Sequence, residues 1–291
     1  MKSIFQIILA ILVLAACSGG LALKDSTSFI QVNAPVGNFL GEEEESFYVF
    51  RGVPYAEPPV GDLRWRAPRA PSVSNDVIDA TKFKSECIQP GTEGLIPNRN
   101  VSVGNEDCLY LDIYAPSKKS EALLPVMFWI HGGGNTSGLK DLYDFSKLVR
   151  KNDVILVRIN YRLGPFGWFT HPAIQDLQDG IDKTSNFGTL DIIAALEWVN
   201  ENIKLFGGDP NNITIFGESA GGHNVLSLLV SKKASGLFHK AISMSGYTES
   251  ISPQNAYKQL KESFSSSHTS WEVVNRIISK KESIKKQNEY N

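Results

Sequence analysis

Ser219 lies in Gly217-Glu218-Ser219-Ala220-Gly221, between an apolar run, Ile213–Phe216, and a helix-forming stretch, Ala220–Val230. In such a strand–turn–helix the turn is too sharp for side chains at either glycine. It lifts the serine hydroxyl clear of the sheet, at the N-terminus of the helix. An oxyanion formed there meets backbone N–H groups and the positive end of the helix dipole. The chemistry this permits is attack of a serine hydroxyl on a carbonyl carbon. A bare Gly-x-Ser-x-Gly recurs by chance, so its setting and a second element decide its weight. That second element is Ile130-His131-Gly132-Gly133-Gly134, which ends another apolar run, Val126–Ile130. Successive glycines let the backbone approach a substrate and present N–H groups to developing negative charge. One lost donor of this kind costs ~10²–10³ in rate.

A serine hydroxyl at its ordinary pKa is a weak nucleophile. It needs a base, and the base needs an orienting acid. Five histidines are available in the chain. His223 follows Ser219 by one helical turn and is expected to be carried away from the hydroxyl, to pack or cap. His131 is expected to brace the glycine loop. His239 precedes a strand and reads as structural. His268 lies in a serine-rich tail with no strand end to position it, so Glu249 or Glu262 paired with His268 is a poor base–acid couple.

The elements that position these groups are legible as short apolar runs. Phe47–Phe50, Leu109–Tyr114, Val126–Ile130, Asp153–Tyr161, Ile213–Phe216 and Ala241–Met244 read as strands. Runs without polar alternation suit strands covered on both faces. Leu190–Leu205 has helical spacing and stops at Phe206-Gly207-Gly208-Asp209-Pro210, and Ala220–Val230 reads as a second helix. Trp271–Lys280 could form a short amphipathic helix. Strand–helix alternation predicts an α/β chain with a mostly parallel sheet. With 291 residues, 42% hydrophobic and a formal charge of -2, the chain can build a core and offers no electrostatic reason to bind nucleic acid. It shows no repeat or heptad pattern.

Taken in order, further segments make a resemblance plain. Arg51-Gly-Val-Pro-Tyr-Ala-Glu-Pro-Pro-Val-Gly-Asp-Leu-Arg-Trp65, Glu106-Asp-Cys-Leu-Tyr-Leu-Asp-Ile113, Asn160-Tyr-Arg-Leu-Gly-Pro165 and Asn186-Phe-Gly-Thr-Leu-Asp191 precede the serine turn. From about Phe50 to Gly246 the chain resembles the type-B carboxylesterases, the cholinesterase-like branch of the α/β-hydrolases. The resemblance implies the α/β-hydrolase fold, a mostly parallel central sheet with helices on both faces. It implies Ser219 as acyl nucleophile, the N–H groups of Gly133, Gly134 and Ala220 as oxyanion hole, and Glu218 as a residue that tunes the site electrostatically. It also implies a disulfide between Cys87 and Cys108, and no metal or organic cofactor. In that family the acid, usually Glu, and then the His follow the serine at distances greater than the residues left after Ser219. The chain is therefore expected to be the N-terminal part of a longer esterase, truncated at its C-terminal side and inactive alone; the alternative is a degenerate, shortened esterase that keeps half the sheet.

The first residues read as an export signal. Lys2 precedes the apolar stretch Ile4–Ala16, which is too short to span a bilayer. Leu14-Ala15-Ala16-Cys17 resembles a bacterial lipobox, which implies lipidation of Cys17. The expected organisation is a signal peptide over 1–16, a lipid-anchored linker over 17–28 and an incomplete hydrolase domain over 29–291. A cell-envelope location, with the membrane as a partner only through the anchor, follows from it. In an exported chain Cys87 and Cys108 can form a disulfide, worth ~3 kcal/mol by loop entropy, or remain free thiols. Sequons at Asn100, Asn135 and Asn212 are read as incidental.

The expected substrate is a small carboxylic ester. The loop Ile88–Asp107 holds no aromatic residue, which argues against a choline ester, whose ammonium would need a cation–π partner. Asn135 after the glycine triplet, where many relatives carry an aromatic, suggests a more polar or more open mouth. Two alternatives are a non-catalytic binding module of the same fold and a lipid-anchored envelope protein. The first usually loses the serine that is present here, and the second leaves both glycine elements unexplained.

Overall fold

The computed structural model describes residues 28–93, 96–118, 120–257 and 270–289. The export signal, Cys17, Glu262 and His268 lie outside the described residues. Among the described residues no helix is long and apolar enough to cross a membrane.

A nine-stranded mixed sheet forms the centre. β1 (Ser28–Ala34), β2 (Gly37–Glu44) and β3 (Phe47–Pro54) make an antiparallel meander, and β4 (Val77–Asp79) adds parallel to β2. β5 (Gln89–Glu93) and β6 (Ile96–Val103) pair in a separate hairpin. The chain returns to the sheet as β7 (Tyr110–Pro116), β8 (Leu124–Ile130), β9 (Ile155–Ile159), β10 (Gly208–Glu218) and β11 (Lys240–Met244). The strand order is β1-β2-β3-β7-β9-β8-β10-β11. β3, β7 and β9 continue antiparallel, whereas β9, β8, β10 and β11 run parallel. The expected parallel arrangement thus holds for the half that carries the serine. The other half is antiparallel: short turns join β1, β2 and β3, and longer excursions bring β7 and β9 alongside.

The helices are α1 (Ser146–Lys151), α2 (Gly164–Gly167), α3 (Pro172–Gln175), α4 (Phe187–Asn202), α5 (Ala220–Val230), α6 (Pro253–Tyr257) and α7 (Ser270–Glu289). α4 begins three residues before the expected start and passes into a 3-10 turn, Ile203–Phe206. Gly207 stops that turn with φ of 88°, a left-handed conformation that costs glycine least. α7 runs beyond Lys280, through Lys, Glu and Gln residues that favour helix.

Alternation along the central strands explains their apolar sequences. Phe128 and Ile130 of β8 join one core cluster, with Val157 of β9, Ile215 of β10 and Trp198 of α4. Trp129, Leu156 and Phe216, from the same strands, join a second cluster with Val149 of α1. Both faces of β8, β9 and β10 are therefore covered. β11 is different: all five of its residues are exposed, Ile242 at 45% and Met244 at 39%. It is the last strand of the sheet among the described residues.

Candidate active site

β10 delivers Glu218 to the end of the sheet, and α5 starts two residues later. Ser219 makes the turn between them with φ 55° and ψ -120°. A side chain there is strained, and such strain persists only where the surroundings impose it. They do so through backbone contact. The Ser219 N–H donates to Met244 O of β11 at 2.9 Å, and Ser219 O accepts from the His223 N–H at 3.0 Å. The flanking glycines are required by space. A Cβ on Gly221 would lie 2.1 Å from Ile130 O, and one on Gly217 would lie 2.5 Å from the Gly221 carbonyl.

The glycine loop leaves β8 directly beside this turn. A Cβ on Gly132 would lie 3.2 Å from Ser219 Cβ and 3.1 Å from a carboxylate oxygen of Glu218. Gly133 and Gly134 both have positive φ, 102° and 63°, and both are exposed. The Gly133 carbonyl is turned back into the loop, accepting from the N–H groups of Thr136 and Ser137 at 3.1 and 3.0 Å. Among the described residues the N–H groups of Gly133, Gly134 and Ala220 donate to no protein acceptor. They are three donors left available beside one serine, and the Ala220 N–H is among those a helix N-terminus leaves unpaired.

With a serine turn and a glycine loop in this arrangement, similarity to known proteins is decisive. Residues 28–283 match the carboxylesterase family. The chain belongs to that family. It is 44% identical over 227 residues to the para-nitrobenzyl esterase of Bacillus subtilis (strain 168), covering 77% of this chain and 45% of that protein. It is 46% identical over 214 residues to the medium-chain fatty acyl-CoA hydrolase precursor of Anas platyrhynchos, covering 70% and 37%. The solved structure of a thermophilic PNB esterase superposes with a TM-score of 0.69 at 42% identity, over 77% of this chain and 46% of that one. The chain therefore has the α/β-hydrolase fold and spans less than half the length of these relatives.

Within this carboxylesterase chain His131, His223 and His239 fall as their positions suggest. His131 is fully buried, its ring stacked 4.3 Å from Tyr161, and its Nδ1–H donates to Gly132 O at 2.8 Å. Burial lowers its pKa to about 4, so the ring is neutral near pH 7 and props the loop instead of accepting a proton. His223 Nδ1 meets Tyr247 O at 2.5 Å, and its ring stacks on Tyr247. His239 Nδ1 accepts from the Ile213 N–H at 3.2 Å and so fixes the β10 edge. Ser219 makes no side-chain capping bond to its own helix.

Cys87 and Cys108 form a buried disulfide with Cα atoms 5.0 Å apart. Gln89, two residues on, reaches the glycine loop. Its Oε1 accepts from the Gly138 N–H at 2.7 Å, and its Nε2 donates to Gly138 O at 3.0 Å.

Several supporting groups escaped sequence reasoning. Arg162 grips Asp191 of α4 through two side-chain bonds of 2.8 and 2.7 Å, with both residues buried. The backbone N–H of Arg162 adds a third bond to Asp191 at 3.0 Å. Asp112 of β7 holds Lys140 and Arg158, at 2.9 and 3.0 Å, in a separate buried cluster. Asn135 and Asn224 join the glycine loop to α5 by a side-chain bond of 2.9 Å. Buried charge of this kind was signalled only by residue type, because the partners are far apart in sequence.

Proposed function

We propose that this chain supplies the nucleophile and oxyanion-binding half of a serine hydrolase of carboxylic esters. Ser219 Oγ attacks the ester carbonyl. The N–H groups of Gly133, Gly134 and Ala220 hold the oxyanion of the tetrahedral intermediate, the alcohol leaves, and water releases the acid from the acyl-enzyme. The observation that supports the reading is that the glycine loop leaves β8 against the strained turn of Ser219, with the N–H groups of Gly133, Gly134 and Ala220 donating to no protein acceptor among the described residues. Glu218, against Gly132, would set the local field. Relatives named as esterases support the reaction class.

The base and acid belong to the same proposal. His223 is turned to Tyr247, His131 is buried under the loop and His239 holds a strand, so none is poised to take the Ser219 proton. We place the Glu and His of the triad in sequence following Asn291, and the 291-residue chain alone is then inactive. Hydrolysis of p-nitrophenyl acetate tests both parts. The chain alone should stay at background. The protein continued through a Glu and a His should turn over, and Ser219→Ala should lower kcat by about 10⁴–10⁶. Turnover by the longer protein that survives Ser219→Ala contradicts the reading.

Export and lipidation at Cys17, with an envelope location, remain part of the proposal on the strength of Leu14-Ala15-Ala16-Cys17. Labelling with a palmitate analogue, lost in Cys17→Ser, is the check.

A further inference from the structure

A cavity of about 640 Å³ flanks the serine turn, bounded by the residue after the glycine triplet, Asn135, and by His223 and Asn224 of α5. Twelve of its eighteen lining residues carry polar side chains, yet none is lysine or arginine and Glu249 is the one carboxylate among them. Anionic arms such as phosphate or carboxylate would find no counter-charge there. An alkyl arm would cover the buried polar side chains of Asn224 and Thr170 without bonding to them, which costs binding.

The wall offers unspent hydrogen-bonding capacity. Asn224 is 2% exposed, and its Nδ2 donates to Asn135 Oδ1 at 2.9 Å. The return contact, Asn135 Nδ2 to Asn224 Oδ1, is long at 3.5 Å. An amide carries two N–H donors and two acceptor lone pairs, so each of these side chains retains capacity beyond the pair. Asn186, an exposed residue of the cavity wall, makes no side-chain bond among the described residues. Thr170 adds a hydroxyl. Aromatic surface alternates with these groups. Trp168 lines the cavity, and Tyr247, 48% exposed, is held by its stack on His223 at 4.3 Å.

Neutral amides and hydroxyls beside flat aromatic faces match a neutral, hydroxyl-rich ring: hydroxyls bond to the amides while the C–H face lies on an aromatic ring. Resting on the esterase reading, we propose that this cavity takes a neutral polyhydroxylated group, so that the ester substrates are acylated sugars or similar polyols. Asn135 and Asn224 have a second role in this account, reading the hydroxyls as well as tying the glycine loop to α5.

Binding is measured apart from turnover. Saturation-transfer NMR on the 291-residue chain should detect methyl α-D-glucopyranoside, with cyclohexylmethanol and glucose 6-phosphate giving little or no transfer. Asn224→Leu should weaken glucoside binding about tenfold, the scale of a lost buried hydrogen bond. Because Asn224 is buried, the exposed Asn186→Ala serves as a second variant and should weaken binding several-fold while its thermal melt stays unchanged. The proposal is overturned if cyclohexylmethanol binds as well as the glucoside, if the phosphate binds better, or if both variants leave binding unchanged. Glucoside binding without ester hydrolysis in the continued protein would remove the esterase reading and leave the cavity assignment standing. Hydrolysis without glucoside binding would do the reverse.

Discussion

Gln89 holds Gly138 by both ends of its amide, accepting from the Gly138 N–H at 2.7 Å and donating to Gly138 O at 3.0 Å. It reproduces with a side chain the two bonds that a neighbouring strand would make. Gly138 in turn lies against the start of the glycine loop, where a Cβ would approach Gly132 O and His131 Nδ1 to 2.5 Å. The disulfide at Cys87 is thus coupled to the loop through one buried amide. Gln89→Leu removes both bonds and leaves the Gly138 groups unsatisfied, at about 1–3 kcal/mol. Amide exchange should accelerate at Thr136 and Ser137, whose N–H groups close the glycine loop on Gly133 O, more than in β8, and reduction of the disulfide should produce the same pattern.

The serine turn offers a pair of opposite outcomes. Ser219→Gly relieves a positive φ of 55° and should raise stability by about 1 kcal/mol, seen as a higher Tm. Gly221→Ala introduces a Cβ 2.1 Å from Ile130 O, against backbone that cannot retreat without parting β8 from β10. It should lower stability by more than about 3 kcal/mol, read by urea denaturation.

His131 makes stability depend on pH with a definite sign. Burial is the largest cause of its pKa falling from 6.5 to about 4 in the folded chain. The unfolded chain binds the proton more readily, so stability is fully present above about pH 6.5 and is lost as pH falls towards 4. The loss is on the order of 3 kcal/mol. Urea midpoints at pH 7 and pH 5 should differ, and His131→Gln should flatten the difference.

Arg162 and Asp191 form a buried pair whose members satisfy each other. Asp191→Ala leaves the guanidinium buried without its carboxylate and should cost about 3–5 kcal/mol. Replacing both by Met and Leu should cost less than either single change. A double-mutant cycle in urea checks this.

The parallel half of the sheet was legible because Val126–Ile130 and Ile213–Phe216 are apolar on both faces, and both faces prove to be covered. The serine turn and glycine loop were legible because only glycine tolerates the backbone approaches at Gly132 and Gly221. β1 and the acidic end of β2 were not, since a strand at the margin of a sheet alternates weakly and Glu42–Glu44 look solvated. β5 and β6 carry Pro90 and Pro97 and no period. Pairings such as Asp112 with Arg158, 46 residues apart, depend on which strands become neighbours, and local pattern does not state that.

The central claim is that Ser219 becomes acylated beside the Gly133, Gly134 and Ala220 donors. The direct test is to treat the protein, continued through its Glu and His, with a p-nitrophenyl alkylphosphonate and measure the intact mass and peptide map. The account predicts one phosphonyl group per chain, on the peptide carrying Ser219, and none on that peptide in Ser219→Ala. A label on another residue, or no label in a protein that still hydrolyses esters, would contradict it.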